Sequence, residues 1–196
     1  MSDYYFLYLH GYKGSPDSVK AQKLKRWLKK NWPNSAIDAP ALQMHSESAL
    51  QTINYLLNKA NAAKKVIIGS SLGGYMAHLF KQIRSDIDQV VLINPAARLD
   101  LIVADPAYAE LRHEAKALMD LMPAGSKDFQ DYLLLLQADD TTTPITFAKE
   151  VYAGANIDIK TGQGHGYDNI EVSFDVIEGF LCNKDEKVVS NSSPGE

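Results

Sequence analysis

Chemistry in this chain is most legible around Gly69-Ser70-Ser71-Leu72-Gly73. Two serines stand side by side, and the frame G-x-S-x-G selects the second. Centring it on Ser70 would require glycine at positions that hold Ile68 and Leu72. A serine hydroxyl is a weak nucleophile until a base takes its proton and an acid orients that base. Histidine is the natural base, and three follow Ser71. His78 lies seven residues on, in the same expected helix, pointing away from the turn. His113 falls in a long connecting segment. His165 sits in the glycine-rich loop Thr161-Gly162-Gln163-Gly164-His165-Gly166-Tyr167, where backbone freedom would let the imidazole reach a serine. The acid is expected after the run Leu133-Leu134-Leu135-Leu136-Gln137-Ala138, where Asp139 and Asp140 are adjacent. Neighbouring residues on a turn point apart, so one can serve and the other caps the turn; Asp140 is preferred, and Asp168 is a rival. The order Ser71, Asp140, His165 is the order in which one serine-nucleophile architecture carries its three residues.

Acyl transfer also needs donors for the developing oxyanion. Leu72, following the nucleophile, supplies one backbone N–H at a helix start. The loop Leu9-His10-Gly11-Tyr12-Lys13-Gly14 should supply the other, from Tyr12, with Gly11 and Tyr12 also lining a substrate pocket. His10 reads as a hydrogen-bonding support beneath that loop. Neither glycine-rich loop fits a phosphate-binding pattern, and no Cys/His set has metal spacing, so no cofactor or metal is expected.

These residues need a scaffold. Strand-like runs recur at Tyr4–His10, Ala36–Ala39, Lys65–Ile68, Gln89–Asn94, Tyr132–Ala138 and Asn156–Lys160. Helical patterns fall between them: Ser18–Asn31, Ser46–Ala62 opening on a serine cap, Ser71–Arg84, Ala148–Tyr152 and Ser173–Leu181. Alternating β and α units predict an α/β fold, with about six mostly parallel strands and helices on both faces. With right-handed crossovers and the first strand central, the second lies to one side and the other four step away on the other. The chain then reverses direction between the strands ending at His10 and Ile68, where open α/β sheets bind ligands. Residues 96–131 break the alternation. Their helical stretch Pro106–Met122, ended by Pro123-Ala124-Gly125-Ser126, reads as a cap over the carboxyl ends of the strands or as a plain long crossover. An apolar face of Leu111, Leu118, Met119 and Met122 is expected over Ser71.

The 196 residues suit one domain, expected over 1–182, with a flexible polar tail over 183–196. A net charge of −4 gives no basic field for nucleic acid. No apolar run is long enough to span a membrane, the start lacks the basic region of a signal peptide, and the single cysteine, Cys182, suits a reducing, cytoplasmic setting.

With these residues in place, the chain resembles small α/β-hydrolases of the YqiA/YcfP-like esterase group over roughly residues 4–182. The resemblance rests on YLHGYKGSPDSVKAQKLKRWL, IIGSSLGGYMA, LLLLQADDTTTP and GQGHGY. It implies Ser71 as nucleophile, Asp140 as acid and His165 as base, and hydrolysis of carboxylic esters or thioesters of small or acyl substrates. One departure is Asp139, where related proteins typically carry glycine. A non-catalytic ligand- or protein-binding module, or an amide hydrolase with the same machinery, are the alternatives.

Overall fold

A computed structural model describes residues 2–125 and 128–190 of the chain. Ser126, the expected end of the insertion's closing turn, and residues 191–196 of the expected tail lie outside the described residues.

Six strands form one sheet: β1 (Ser2–Leu9), β2 (Ala36–Asp38), β3 (Ala62–Ser70), β4 (Gln89–Ile93), β5 (Tyr132–Gln137) and β6 (Asn156–Lys160). Their order is β2-β1-β3-β4-β5-β6, as the crossover argument requires. All five pairings are parallel. Strands buried on both faces need no polar alternation, hence the unbroken apolar runs of β4 and β5. On β1 the two-residue period divides the core: Tyr5, Leu7 and Leu9 face one layer of helices, and Tyr4, Phe6 and Tyr8 the other.

The first layer holds α2 (Ser46–Lys59), α3 (Leu72–Ile83) and α6 (Ile145–Val151); the second holds α1 (Val19–Asn31) and α7 (Phe174–Ser190). Ser18 caps α1, accepting from the Ala21 N–H at 3.3 Å. The expected serine cap of α2 does not form. Ser46 is already helical, and its N–H is satisfied instead by the Glu114 carboxylate at 2.6 Å. A carboxylate at a helix start completes both an orphan donor and the helix dipole, so a tertiary contact does the work of a local cap. Helix α7 continues to Ser190, so its backbone runs into the segment expected to be a tail.

Residues 96–131 carry α4 (Leu99–Ile102), a 3₁₀ turn (Pro106–Leu111) and α5 (Arg112–Asp120). Leu111, Ala115 and Leu118 are buried in the first layer's core. Arg112 fixes the start of α5 by donating from Nε to the Val103 carbonyl at 2.8 Å. Among the described residues, no helix is long and apolar enough to cross a membrane.

Candidate active site

The end of β3 and the start of α3 meet at Ser71, whose backbone sits at φ 54°, ψ −118°. A non-glycine residue with positive φ is strained, and the surrounding contacts over-determine it. The Ser71 N–H donates to the Ile93 carbonyl at 3.0 Å, and its own carbonyl accepts from Gly74, Tyr75 and Ala96. The flanking glycines allow this approach. A Cβ on Gly73 would lie 2.2 Å from the Leu9 carbonyl oxygen, and one on Gly11 would lie 2.9 Å from the Ser71 Cβ. The loop after β1 therefore rests directly against Ser71, and only residues without a side chain permit it.

His165 reaches the same point from beyond β6. Its Nε2 lies 3.0 Å from Ser71 Oγ and its Nδ1 lies 2.8 Å from Asp140 Oδ2. Asp140 is buried, its side chain 0% exposed. Its Oδ1 accepts from the N–H groups of Thr142 and Thr143, and its Oδ2 lies 2.6 Å from the Thr143 hydroxyl. Burial pushes the Asp140 carboxyl up, but hydrogen bonds from His165 and Thr143 outweigh it and hold the pKa below its ordinary value. An ionised Asp140 can only accept, so Nδ1 carries the ring proton and Nε2 is left to accept from the serine hydroxyl. Ser71, His165 and Asp140 thus form one hydrogen-bonded chain, delivered by the ends of β3, β6 and β5.

The other candidates fall elsewhere. Asp139 points away from the cleft, and its two oxygens accept from the N–H groups of Gly162 and Gly164, each at 3.0 Å. It does not cap its own turn; it clamps the loop that carries His165. The Asp168 carboxylate lies beside Gly166, and His165 takes Asp140 as its partner instead. His78 is buried in an aromatic cluster with Phe129, Tyr132 and Tyr152. Burial pulls its pKa down to about 4. His113 is exposed on α5. His10 supports its loop: Nδ1 donates to the Gly11 carbonyl at 2.8 Å, and Nε2 accepts from the Leu42 N–H at 2.9 Å.

Three contributors were not anticipated. Thr143 bonds Asp140 and lies 3.2 Å from the Asn94 carbonyl. Asn94, at φ 41°, donates from Nδ2 to the carbonyls of Gly164 and His165 and accepts at Oδ1 from the Gln137 N–H. A polar residue closing the apolar run of β4, just before Pro95, was the available signal. Lys20 is the third. It falls four and eight residues before Leu24 and Leu28, on the buried stripe of α1, where a lysine is out of place.

Two cavities meet above the sheet. The smaller, about 110 Å³, is lined by Ser71, His165 and Leu72, with Tyr108 and Ile102 from the insertion. The larger, about 380 Å³, is lined by Gly11, Met76, Ala49, Ala115 and Leu118, among others. Tyr12, Leu72, Leu99 and Leu111 line both. Of the face expected over Ser71, Leu111 alone lines the smaller cavity; Leu118 lines only the larger one, Met119 packs against the first layer's core, and Met122 borders a different cavity, beside His78 and Phe129. The insertion is strapped to the loop after β1. The Tyr12 hydroxyl donates to Glu110, the Lys13 ammonium donates to Glu110 at 3.1 Å, and the rings of Tyr12 and Tyr108 meet edge to face.

Sheet order, the turn at Ser71 and the insertion after β4 define the α/β-hydrolase fold. Solved structures with this architecture include Est1E from Butyrivibrio proteoclasticus, with a TM-score of 0.72, 16% identity and coverage of 94% of this chain and 89% of that one. The ydeN gene product of B. subtilis aligns at TM-score 0.66 and 18% identity over 92% and 99%. The Pyrococcus furiosus esterase Pf2001 aligns at 0.63 and 17% over 93% and 81%. Residues 5–182 match the model of the uncharacterised protein family UPF0227, and the chain belongs to that family.

Proposed function

We propose that this protein is a serine hydrolase that cleaves carboxylic esters or thioesters through an acyl-enzyme. The observation that carries this reading is the chain Ser71 Oγ–His165 Nε2 at 3.0 Å and His165 Nδ1–Asp140 Oδ2 at 2.8 Å, at the mouth of a cavity. Ser71 attacks the substrate carbonyl as His165 takes its proton. Asp140, ionised, holds the ring and stabilises the imidazolium. The N–H of Leu72, first in α3 and so without an intrahelical acceptor, and that of Tyr12 receive the oxyanion. The imidazolium protonates the leaving group. Water, deprotonated by His165, then attacks the acyl-enzyme and releases the acid.

We assign the acyl group to the larger cavity. Its exposed wall is mainly apolar, with Leu42, Ala49, Met76, Ala115 and Leu118 beside the charged Lys13, Glu110 and Glu114, and it borders Leu72 and Tyr12, the residues toward which the carbonyl oxygen would point. The substrate is then a small molecule with an apolar acyl part. The lone cysteine, Cys182, is an exposed free thiol, which suits a reducing, cytoplasmic setting.

An ester panel from acetyl to palmitoyl, with acyl-CoA thioesters beside it, tests the reading. Wild type should turn over part of the panel, and Ser71→Ala none above background. A fluorophosphonate should label Ser71. A wild type that neither turns over any member nor takes the probe would point to a non-catalytic binding module.

A further inference from the structure

Lys20 is 7% exposed, and its ammonium donates to Ser70 Oγ at 2.9 Å and to the Gly166 carbonyl at 2.7 Å. Ser70 directly precedes the nucleophile, and Gly166 directly follows the base. One buried cation on α1 therefore joins the turn that presents Ser71 to the loop that presents His165. Neither partner is part of the proposed reaction, and neither end is an ion pair.

We propose that Lys20 is a positioning residue that ties these two segments together and so sets the approach of His165 to Ser71. Burying an ammonium is costly, and a leucine at this place would continue the stripe of Leu24 and Leu28 without that cost. What the lysine adds is two directional bonds between segments about a hundred residues apart in sequence. Asp139, Asn94 and Gln137 fasten the Gly162–His165 part of the histidine loop. Lys20 holds the far side, at Gly166. Burial pulls its pKa down to about 8, with Asp168 and Asp140 acting in the opposite sense. It is therefore mostly charged at pH 7, and both bonds are charge-assisted.

This role rests on the reading of Ser71 and His165 as nucleophile and base, and the test separates the two. Wild type, Ser71→Ala, Lys20→Met, Ser70→Ala and the Lys20→Met/Ser70→Ala double variant are compared for kcat and KM on a short activated ester, for fluorophosphonate labelling rate and for melting temperature. Lys20→Met should lower kcat and labelling rate together by about 10- to 100-fold, with KM little changed, because a small misplacement of reacting groups is costly in rate. Ser70→Ala should lose about fivefold, one hydrogen bond's worth. The double variant should be no slower than Lys20→Met alone, since both changes cut the same tie. Lys20→Met with kcat and labelling within twofold of wild type, whatever its melting temperature, overturns the role of Lys20 and leaves the triad standing. A wild type that is inert to ester and probe overturns the triad and this role with it. If Lys20→Met does not fold, Ser70→Ala decides: a severalfold loss of kcat in a protein melting near wild type supports the tie, and unchanged kcat overturns it.

Discussion

The turn after β3 and the turn after β5 are built on one plan. Each presents two identical neighbours, Ser70-Ser71 and Asp139-Asp140, and in each the second residue enters the cleft. The first turns away and braces. Ser70 accepts from Lys20, which reaches Gly166; Asp139 accepts from Gly162 and Gly164. Both braces end on the loop that carries His165. The difference lies in how the second residue of each pair is held. Ser71 is locked by its own backbone, at positive φ with four backbone hydrogen bonds. Asp140 is locked through its side chain, by Thr142 and Thr143. A nucleophile must keep its oxygen free, so its backbone has to be fixed. An orienting carboxylate can be fixed by the very oxygens it uses, since it has more lone pairs than the imidazole needs.

Breaking the first pair should give the largest contrast. Ser71→Ala should abolish turnover, a loss on the order of 10⁶ in kcat for a well-tuned serine hydrolase, while Ser70→Ala stays within about tenfold of wild type. Peptide mapping of the fluorophosphonate adduct checks the same point independently. An adduct on Ser70 would sink the assignment.

The second pair should separate less widely. Asp140→Asn presents an amide to Nδ1 and favours the wrong tautomer, a change that costs about 10⁴ in the best-studied triad. Asp139→Asn keeps one acceptor for the two loop N–H groups and should cost about tenfold or less. Steady-state kcat on one ester distinguishes them. The reverse ranking would make Asp139 the acid.

Much of this was legible in the sequence, for reasons the pairs make plain. Sheet order follows from alternation and crossover handedness, which are local and general rules. The choice of Ser71 follows from where glycine must stand, and that of His165 from its place in the last glycine loop. The braces were not legible, because each is a side chain reaching across the fold. Asp139 looks like a turn residue until Gly162 is brought beside it. Lys20 had a signal, a charge on an apolar stripe, but nothing in α1 says that Gly166 will lie above it. The cap of α2 failed for the same reason: its acceptor, Glu114, comes from an insertion 68 residues away.

Two histidines extend the comparison. His165 has a carboxylate against its ring, whereas His78 bonds the Tyr132 hydroxyl and packs in the aromatic cluster. The His78 pKa falls from the ordinary 6.5 to about 4 because burial disfavours its charged form. Between pH 6.5 and 4 the unfolded chain therefore binds a proton that the folded chain does not. Stability falls as pH drops through that window, by about 2 kcal/mol between pH 7 and pH 5 from this group alone. Urea unfolding at pH 7 and pH 5 should show a smaller difference for His78→Phe than for wild type, whatever the mutant's absolute stability. Equal differences would assign the acid sensitivity to other groups.

The smallest effect concerns the two cavities, which differ as the paired residues do: one holds the reacting atoms and the other surrounds them. If the acyl chain occupies the larger cavity, each methylene it buries contributes roughly 0.8 kcal/mol, or three- to fourfold in kcat/KM, until the space is filled. Leu118 lines that cavity but not the smaller one, and it is also a core residue, 2% exposed. Leu118→Ala therefore does two separable things. It removes packing, which should cost about 2–5 kcal/mol of stability. It also enlarges the larger cavity while leaving the wall around Ser71 intact, which should move the preferred ester to a longer chain. Measuring kcat/KM across the ester series beside melting curves separates the two. A lower melting temperature with a flat length profile in both proteins would make Leu118 a packing residue only and leave the acyl chain outside the cavity. A peak in wild type that shifts to longer esters in the folded mutant would assign the acyl chain to the larger cavity, with α5 as the element that measures its length.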